Sequence, residues 1–262
     1  MRIARFVHSG GMSFGAVEGE GNVGSDGLTV AEIEGHPFGS LTFTGQRWAL
    51  ADVRLLSPIL PSKVVCIGRN YADHAAEHNA PVPTEPLLFL KPSTSIVGHH
   101  DAIKLPPQAK HVEHEAELAV VIGAPGARRV DRAGAAAAVF GYTCANDVSA
   151  RDLQKSDGQW TRAKGFDSFC PLGPWIATGI DASDLEVRCE VNDEVRQLGR
   201  TKDMVFDVPT LVSYVSHVMT LLPGDVILTG TPAGVAPIVD GDTVTVSIEG
   251  IGTLSNRVVL LD

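Results

Sequence analysis

The chain contains 262 residues, of which 44% are hydrophobic, and it carries a formal net charge of −10 at pH 7. This length and apolar content are sufficient for a globular protein with a substantial buried core. The acidic balance argues against nucleic acids and anionic membrane surfaces as main partners, although a local cationic pocket could still bind a small anionic metabolite.

Targeting and redox features exclude further classes of protein. No segment approaches the ~20 apolar residues needed to span a bilayer, and the N-terminus lacks the apolar core of a signal peptide, so we expect a cytoplasmic protein with no membrane partner. The cysteines lack C-x-x-C spacing and lie near small or apolar residues, which predicts reduced core thiols rather than a zinc site or a nucleophile. They are Cys66, Cys144, Cys170 and Cys189.

The first 57 residues predict a small N-terminal β domain. They are rich in glycine and in short polar clusters, with brief extended segments at 3–7 and 40–43 between turn signals. Two prolines in 58–61 then restrict the backbone, and an apolar strand begins in 63–68. We therefore place the boundary after residue 57 and assign residues 58–262 to a second, larger domain.

The larger domain is predicted to contain many short strands and few helices. Helices are expected at 71–78, 132–138 and 208–219, and for a turn or two after Ser149. Turns that contain glycine and proline favour antiparallel connections over a doubly wound sheet, so the expected fold class is a β-rich mixed α+β fold. Strands are predicted at 87–90, 118–122, 139–145, 175–178, 186–191, 226–229, 243–248 and 253–259.

The predicted helix at 71–78 carries a histidine and a glutamate on one face. Asn70 is a suitable N-cap, and His74 and Glu77, three residues apart, are neighbours on the helix surface. A carboxylate beside an imidazole fixes its tautomer and raises its basicity, which makes the pair a competent general base. The alternative is an ordinary surface ion pair.

Glu115 and Glu117 open the apolar run 118–122. Side chains alternate along a strand, so both carboxylates lie on one face with Cα atoms about 6.6 Å apart. They repel each other unless a cation lies between them, and Mg²⁺ and Mn²⁺ prefer oxygen ligands of this kind. The pair predicts a divalent-metal site, the alternative being a solvated strand start. Glu113 shares their parity and could be an outer ligand or a solvated neighbour, of which we prefer the neighbour.

Asp147 is the candidate for a third carboxylate of this site. It follows the predicted strand 139–145 at a strand-to-helix junction, where functional side chains commonly project. Ser149 is expected to cap the next helix, with Asp152 near its positive end. The alternative is a turn aspartate that bonds nearby backbone.

Two further segments supply candidate substrate contacts. Lys164 lies among aromatic residues and glycines, where its ammonium would neutralise a substrate carboxylate or a developing enolate. Thr231 lies in a Gly/Pro loop after an apolar strand, and its hydroxyl with nearby backbone N–H groups would bind a ligand carboxylate. A solvated lysine and a simple turn are the respective alternatives.

Taken together, these motifs resemble the fumarylacetoacetate hydrolase family from about residue 63 to residue 257. The resemblance implies a catalytic domain of rolled mixed β-sheets, usually assembled as a homodimer, and it matches residues 1–57 only weakly, to the small N-terminal domain of bacterial members. The matching segments are 68–74, 89–92, 115–123, 146–151, 164–167 and 230–232.

The resemblance also implies roles for individual residues. Mg²⁺ or Mn²⁺, with Ca²⁺ as a substitute, would be held by Glu115, Glu117 and Asp147. The catalytic dyad on a lid would be His74 and Glu77. Substrate contacts would come from Arg69, Lys164 and Thr231, with Lys164 also counted among the catalytic residues.

The implied chemistry acts on a small anionic 2-oxo acid through an enolate that the metal stabilises. The favoured activities are isomerisation of 2-hydroxyhepta-2,4-diene-1,7-dioate and hydrolysis of fumarylpyruvate or another acylpyruvate, with oxaloacetate decarboxylation as the alternative. Lid closure and contacts to the distal end of the substrate decide among these reactions. The sequence therefore does not choose among these three reactions.

Two readings from other classes stay open. A cupin-like metal oxygenase would use His99, His100, His111 or His114, whose spacing does not match the required ligand pattern. A non-catalytic metal-dependent binding protein would keep the three carboxylates without using the dyad. Loss of turnover with retained metal in dyad variants distinguishes the enzyme from the binder.

Overall fold

The computed structural model describes residues 1–261, in which strands far outnumber helices. The strands are β1 (Arg2–His8), β2 (Gly11–Glu18), β3 (Thr29–Ile33), β4 (Phe43–Ala49), β5 (Arg54–Leu55), β6 (Val64–Gly68), β7 (Leu87–Lys91), β8 (Ile96–Val97), β9 (Ile103–Leu105), β10 (Val112–Glu113), β11 (Ala116–Ile122), β12 (Val139–Asn146), β13 (Ser149–Ala150), β14 (Cys170–Ala177), β15 (Glu186–Val191), β16 (Glu194–Arg200), β17 (Val226–Leu228), β18 (Thr243–Ile248) and β19 (Gly252–Leu260). The α-helices are α1 (Ala72–Glu77), α2 (Arg132–Ala137), α3 (Arg151–Asp157), α4 (Thr161–Lys164) and α5 (Val208–Val218).

Two main sheets form the framework. The larger has 12 strands in the order β4-β3-β2-β1-β14-β12-β11-β17-β6-β7, with β5 beside β1 and β8 beside β14. The smaller follows the order β16-β15-β18-β19-β9, and β10 with β13 forms a short third ladder. Most pairs are antiparallel, whereas β17–β6, β14–β8 and β19–β9 are parallel. This arrangement confirms the predicted β-rich mixed fold.

The N-terminal strands continue the larger sheet. β1 pairs with β14 through the register Arg2↔Ala177, which joins residues 1–57 to the rest of the protein. Trp175 of β14 is fully buried in an apolar cluster with Phe6 and Val30, so the N-terminal segment covers one end of the sheet. The division into two domains at residue 57 stays a prediction.

Strand β11 lies in the centre of the core and is buried on both faces. Leu118, Val120 and Ile122 pack into the cluster between the two sheets, while Ala119 and Val121 face a second cluster. Continuous burial explains the unbroken apolar run in the sequence. It also makes β11 a rigid support for the residues that precede it.

The predicted N-cap of the first helix is wrong. Helix α1 begins after Tyr71, which makes no side-chain cap. Asn70 instead donates from Nδ2 to the carbonyl oxygens of Thr229 (2.7 Å) and Phe206 (3.0 Å). A buried side-chain amide needs hydrogen-bond partners for its polar atoms. Asn70 finds these partners in segments that are far away along the chain.

The predicted cap of the third helix is also wrong. Helix α3 has Ala150 at its N-cap position, with no side-chain cap, and Ser149 donates its hydroxyl to the carbonyl oxygen of Asp147 at 2.8 Å. Ser149 belongs to the short strand β13, and its backbone pairs with β10 instead of opening the helix. Helices α2 and α5 were predicted to within one residue. Among residues 1–261, no helix is long and apolar enough to cross a membrane.

His99 is a buried histidine that joins the loop before β9 to β19. Its Nδ1 accepts a hydrogen bond from the backbone N–H of Ser255 at 3.1 Å, and its ring lies 3.8 Å from that of His100. Burial, assisted by the neighbouring His100, lowers the pKa of His99 to about 4. The imidazole is therefore neutral in the folded protein at neutral pH.

This geometry predicts an acid-sensitive contribution to stability. The folded-state pKa lies below the ordinary value of 6.5, so the unfolded chain binds the proton more tightly, and stability falls as the pH drops from about 6.5 to about 4. The expected loss from this group is about 3 kcal/mol. Urea unfolding of wild type and His99→Asn across this range tests it. Asparagine keeps an acceptor for Ser255 but does not titrate. The difference in free energy of unfolding between wild type and His99→Asn should therefore shrink as the pH falls. A difference that stays constant with pH would contradict the prediction.

Candidate metal and catalytic site

Three buried carboxylates converge where β11 begins and β12 ends. The antiparallel register Ala116↔Asn146 brings Glu115 and Asp147 together, and the backbone N–H of Asp147 donates to the carbonyl oxygen of Glu115 at 2.9 Å. Glu117 lies on the same face of β11 as Glu115. One oxygen from each of the three carboxylates lies within 4.8 Å of the other two. Strand alternation therefore aligns Glu115 with Glu117, and the pairing of β11 with β12 adds Asp147.

Two buried lysines compensate the charge of these carboxylates. The Nζ atom of Lys164 lies 2.8 Å from Glu115 Oε2 and 2.8 Å from Asp147 Oδ2. Lys91, at the end of β7, donates to Asp147 Oδ1 at 2.5 Å and to the carbonyl oxygen of Val148 at 3.1 Å. Lys164 was predicted to contact substrate, and here it bridges two of the predicted metal ligands.

Arg151 completes the cationic side of the site. Its Nη2 donates to Glu115, and its Nε donates to Glu113 at 2.6 Å. Glu113 thus pairs with an arginine outside the carboxylate triad, in keeping with its interpretation as a neighbour. Arg151 and Lys91 were not predicted as site residues, although both lie in segments that carried the family resemblance. Strand β7 is largely exposed or half-buried before Lys91, so the local pattern gave no signal that this lysine is buried.

The carboxylates differ in how well they are compensated. Burial alone would raise the pKa of Glu115, but the charges of Lys164 and Arg151 outweigh it and hold that pKa well below its usual range. Burial raises the pKa of Glu117, and the charges of Asp147 and Glu115 raise it further. Among residues 1–261, no lysine or arginine forms an ion pair with Glu117, which accepts the N–H of Gly230 at 2.6 Å.

This arrangement fits a hard divalent cation. The three candidate ligands offer only oxygen atoms, which Mg²⁺, Mn²⁺ and Ca²⁺ prefer. Glu117 is a buried carboxylate whose ionised form needs a further positive charge close by. A cation bound beside Glu117 would meet this need.

His74 and Glu77 lie on α1, across the cavity from the carboxylates. His74 Nδ1 is 3.3 Å from Glu77 Oε2, and Glu77 also accepts the N–H of Gly234. His74 is buried, which lowers its pKa and leaves the imidazole neutral near pH 7. A proton on Nδ1 satisfies Glu77 and leaves the Nε2 lone pair free to accept a proton.

One cavity of about 250 Å³ joins the dyad to the carboxylates. Its wall includes six of the eight residues predicted for the site: Arg69, His74, Glu115, Glu117, Lys164 and Thr231. Asp147 and Glu77 are outside this wall: Asp147 is buried and contacts Lys164, and Glu77 is exposed and contacts His74. Arg69 lies at the aromatic edge of the cavity, its guanidinium 6.0 Å from the ring of Trp160.

Gln197 fixes the strand and the loop that carry the site. Its Oε1 accepts the N–H of Ala116 at 2.9 Å, and its Nε2 donates to Thr231 Oγ1 and to the carbonyl oxygen of Pro232, both at 2.7 Å. The Thr231 hydroxyl also donates to the carbonyl oxygen of Ala116 at 2.8 Å, so it is engaged by protein partners on both sides. His114, given no function from the sequence, is buried behind this network, with Nδ1 3.0 Å from Gln197 Oε1.

The family of the protein follows from comparison with family models. Residues 63–259 match the model described as fumarylacetoacetate (FAA) hydrolase C-terminal, and residues 1–58 match the model described as Rv2993c-like, N-terminal. The chain therefore belongs to the fumarylacetoacetate hydrolase family, as its motifs predicted.

Relatives of known sequence cover most of the chain. Protein Rv2993c of Mycobacterium tuberculosis is 56% identical over 99% of this chain and 98% of its own length. The human mitochondrial protein named oxaloacetate tautomerase FAHD2A is 47% identical over 80% of this chain and 70% of its own length.

Solved structures share the fold. The crystal structure of 2-hydroxyhepta-2,4-diene-1,7-dioate isomerase from Mycobacterium marinum superposes with a TM-score of 0.93 at 55% identity, covering 99% of this chain and 98% of that one. Maleylpyruvate hydrolase from Sphingobium sp. SYK-6, in complex with manganese(II) ion and pyruvate, has a TM-score of 0.79 at 34% identity, covering 100% of both chains. Related proteins with this fold thus include an isomerase and a hydrolase.

The electrostatics of the carboxylates predict an unusual response to metal. Mn²⁺ at about 100 times its Kd should stabilise wild type by about 2.7 kcal/mol, or very roughly 5–10 °C in Tm for a chain of this size. Glu117→Gln should lose this response, yet should be more stable than wild type in EDTA, because glutamine has no acid group that must be neutralised or buried as a charge on folding.

Thermal unfolding with and without Mn²⁺ measures both effects. The matched control is Glu113→Gln, which alters a neighbouring carboxylate outside the triad and should keep the metal response. A full Mn²⁺ response in Glu117→Gln, or its loss in Glu113→Gln alone, would show that the ligands are assigned wrongly.

Proposed function

We propose that this protein is a divalent-metal-dependent enzyme, acting on 2-oxo (enol) dicarboxylic acids or acylpyruvates. The observation that carries this proposal is the single cavity that joins an oxygen-only carboxylate cluster to a buried, neutral histidine. Functional sites commonly combine such perturbed groups in one cleft. A homodimer is proposed with it on the family resemblance, together with the cytoplasmic location expected from the sequence.

The proposed cofactor is Mg²⁺ or Mn²⁺, with Ca²⁺ as a substitute, held by Glu115, Glu117 and Asp147. When bound there, it would act as a Lewis acid toward negative charge on a substrate oxygen. The manganese and pyruvate bound together in maleylpyruvate hydrolase support both the ion and the 2-oxo acid class.

The cationic side chains of the cavity suit an anionic substrate. Lys164 and Arg151 lie on its wall and are fully charged, because nearby carboxylates raise the pKa of each. Arg69, half-buried at the cavity edge, would meet a second carboxylate at the distal end of a dicarboxylic acid. Together these residues would orient the substrate and stabilise negative charge as it develops.

His74 is the proposed proton acceptor. Its Nε2 would take a proton from a substrate carbon or hydroxyl and return it elsewhere, while Glu77 stabilises the imidazolium that forms. One base that moves one proton is sufficient for isomerisation between enol and keto forms. This proton transfer is the first candidate reaction, and the isomerase and tautomerase among the relatives support it.

Hydrolysis of a carbon–carbon bond is the second candidate. The same dyad could activate a water molecule against the distal carbonyl, and maleylpyruvate hydrolase is a related protein of this type. Oxaloacetate decarboxylation and metal-dependent binding without turnover are the remaining outcomes of the substrate test.

A panel of substrates tests these assignments. The panel contains 2-hydroxyhepta-2,4-diene-1,7-dioate, oxaloacetate, acetylpyruvate and fumarylpyruvate, each with Mg²⁺, Mn²⁺ or EDTA, followed by enol absorbance and product chromatography. We expect metal-dependent turnover of at least one, with the carbon skeleton intact for an isomerase and cleaved for a hydrolase or decarboxylase. Turnover in EDTA equal to that with metal would refute the mechanism.

Variants of the dyad separate catalysis from binding. His74→Ala and Glu77→Gln should each keep bound metal but lose turnover, by about 10²–10⁴-fold for His74. His217→Ala is the control, because this exposed histidine on α5 lies outside the cavity wall. Undiminished turnover in His74→Ala would exclude it as the base, and no turnover of any substrate by wild type would favour the binding protein.

A further inference from the structure

Helix α1 and the residue that follows it carry a second cluster of potential metal ligands. His74, Glu77 and His78 each offer one ligand atom within 4.8 Å of the other two. The two imidazole rings lie edge to face, with centroids 4.7 Å apart and an interplanar angle of 82°. Unlike the carboxylate triad, this cluster supplies two nitrogen donors.

The spacing along the helix is what brings these donors together. Residues separated by three and four positions lie on one face of an α-helix, so Glu77 and His78 both neighbour His74. His74 is buried, whereas Glu77 and His78 are exposed. Glu77 contacts His74 and accepts the N–H of Gly234, so a rotation toward a metal would exchange the Gly234 bond for a metal bond. Tetrahedral Zn²⁺ needs ligand atoms about 3.3 Å apart for bonds of about 2.0–2.1 Å, a contraction that rotation of these two side chains supplies.

We propose that His74, Glu77 and His78 form a binding site for Zn²⁺ or a similar borderline transition metal, separate from the carboxylate triad. Two imidazoles, one carboxylate and an open fourth position make a ligand set that Zn²⁺ prefers and Mg²⁺ does not. The cavity would therefore contain two sites with different metal preferences. The carboxylate triad would bind hard ions, and the cluster at the end of α1 would bind borderline ions.

The surroundings are compatible with a cation at this position. Burial lowers the pKa of both His74 and His78, so their imidazoles are neutral near pH 7 and bind metal without first losing an imidazolium proton. Among the charged groups that face them, Glu115 and Glu77 favour added positive charge and Arg151 opposes it. Two carboxylates and one guanidinium thus act on these imidazoles, in a cavity that Arg69, Lys155 and Lys164 also line.

A metal held here would occupy the proposed general base. Its bonds would take up Glu77 and a lone pair of His74, so the dyad could no longer accept a proton. Zn²⁺ would then be an inhibitor that leaves the hard-metal site loaded. This consequence rests on the proposed function, whereas binding of Zn²⁺ does not.

Zinc binding to protein already saturated with Mn²⁺ tests the site directly. Equilibrium dialysis with metal analysis counts the Zn²⁺ bound, and electron paramagnetic resonance detects any Mn²⁺ released. We expect one Zn²⁺ per chain with Mn²⁺ retained, and binding at least about 10-fold weaker in His78→Gln. His217→Gln, on the exposed face of α5, is the matched control and should bind as wild type does.

Each outcome decides the proposal. Equal Zn²⁺ affinity in wild type and His78→Gln, or release of one Mn²⁺ for each Zn²⁺ bound, would overturn it. With an active substrate, His78→Gln should keep the basal rate and require at least about 10-fold more Zn²⁺ for half-inhibition. If no substrate is turned over, the dialysis result still stands, so failure of the proposed function is not confused with failure of the zinc site.

Discussion

Glu115, Glu117 and Asp147 approach one another in the protein interior, where burial weakens the screening of their mutual repulsion. Lys164, Lys91 and Arg151 offset part of this repulsion. The compensation is uneven, because Glu117 has none of these ion pairs. The cluster is therefore most favourable with a further cation, and the proposed metal dependence follows from this imbalance.

The surrounding fold is organised to hold these charges at fixed positions. β11 is buried on both faces, so Glu115 and Glu117 project from a support that has little room to move. Gln197 joins the backbone between them to the loop of Thr231, and Asn70 joins the start of the α1 segment to the backbone of Thr229. The dyad and the carboxylates are thus positioned relative to each other through side-chain hydrogen bonds that converge on residues 229–232, directly after β17.

Local sequence pattern predicted the parts of the site that depend on local geometry. Strand alternation placed Glu115 and Glu117 on one face, and helical spacing placed Glu77 beside His74. It failed for contacts that depend on distant segments. Asn70 looks like a helix cap in sequence, yet its side chain bonds the backbone of Phe206 and Thr229, far along the chain. Ser149 also looks like a cap, but its backbone pairs with β10, and its hydroxyl bonds the carbonyl oxygen of Asp147. Lys91 reaches Asp147 across 56 positions, and no local pattern indicates such a contact.

The most direct test of the carboxylate site is a crystal structure with Mn²⁺ and pyruvate, with the ion located by anomalous scattering. The account predicts a manganese peak about 2.0–2.2 Å from one oxygen each of Glu115, Glu117 and Asp147, with pyruvate beside it and His74 facing the ligand. Manganese bound elsewhere, or absent from saturated crystals while Lys164 still bridges Glu115 and Asp147, would contradict it.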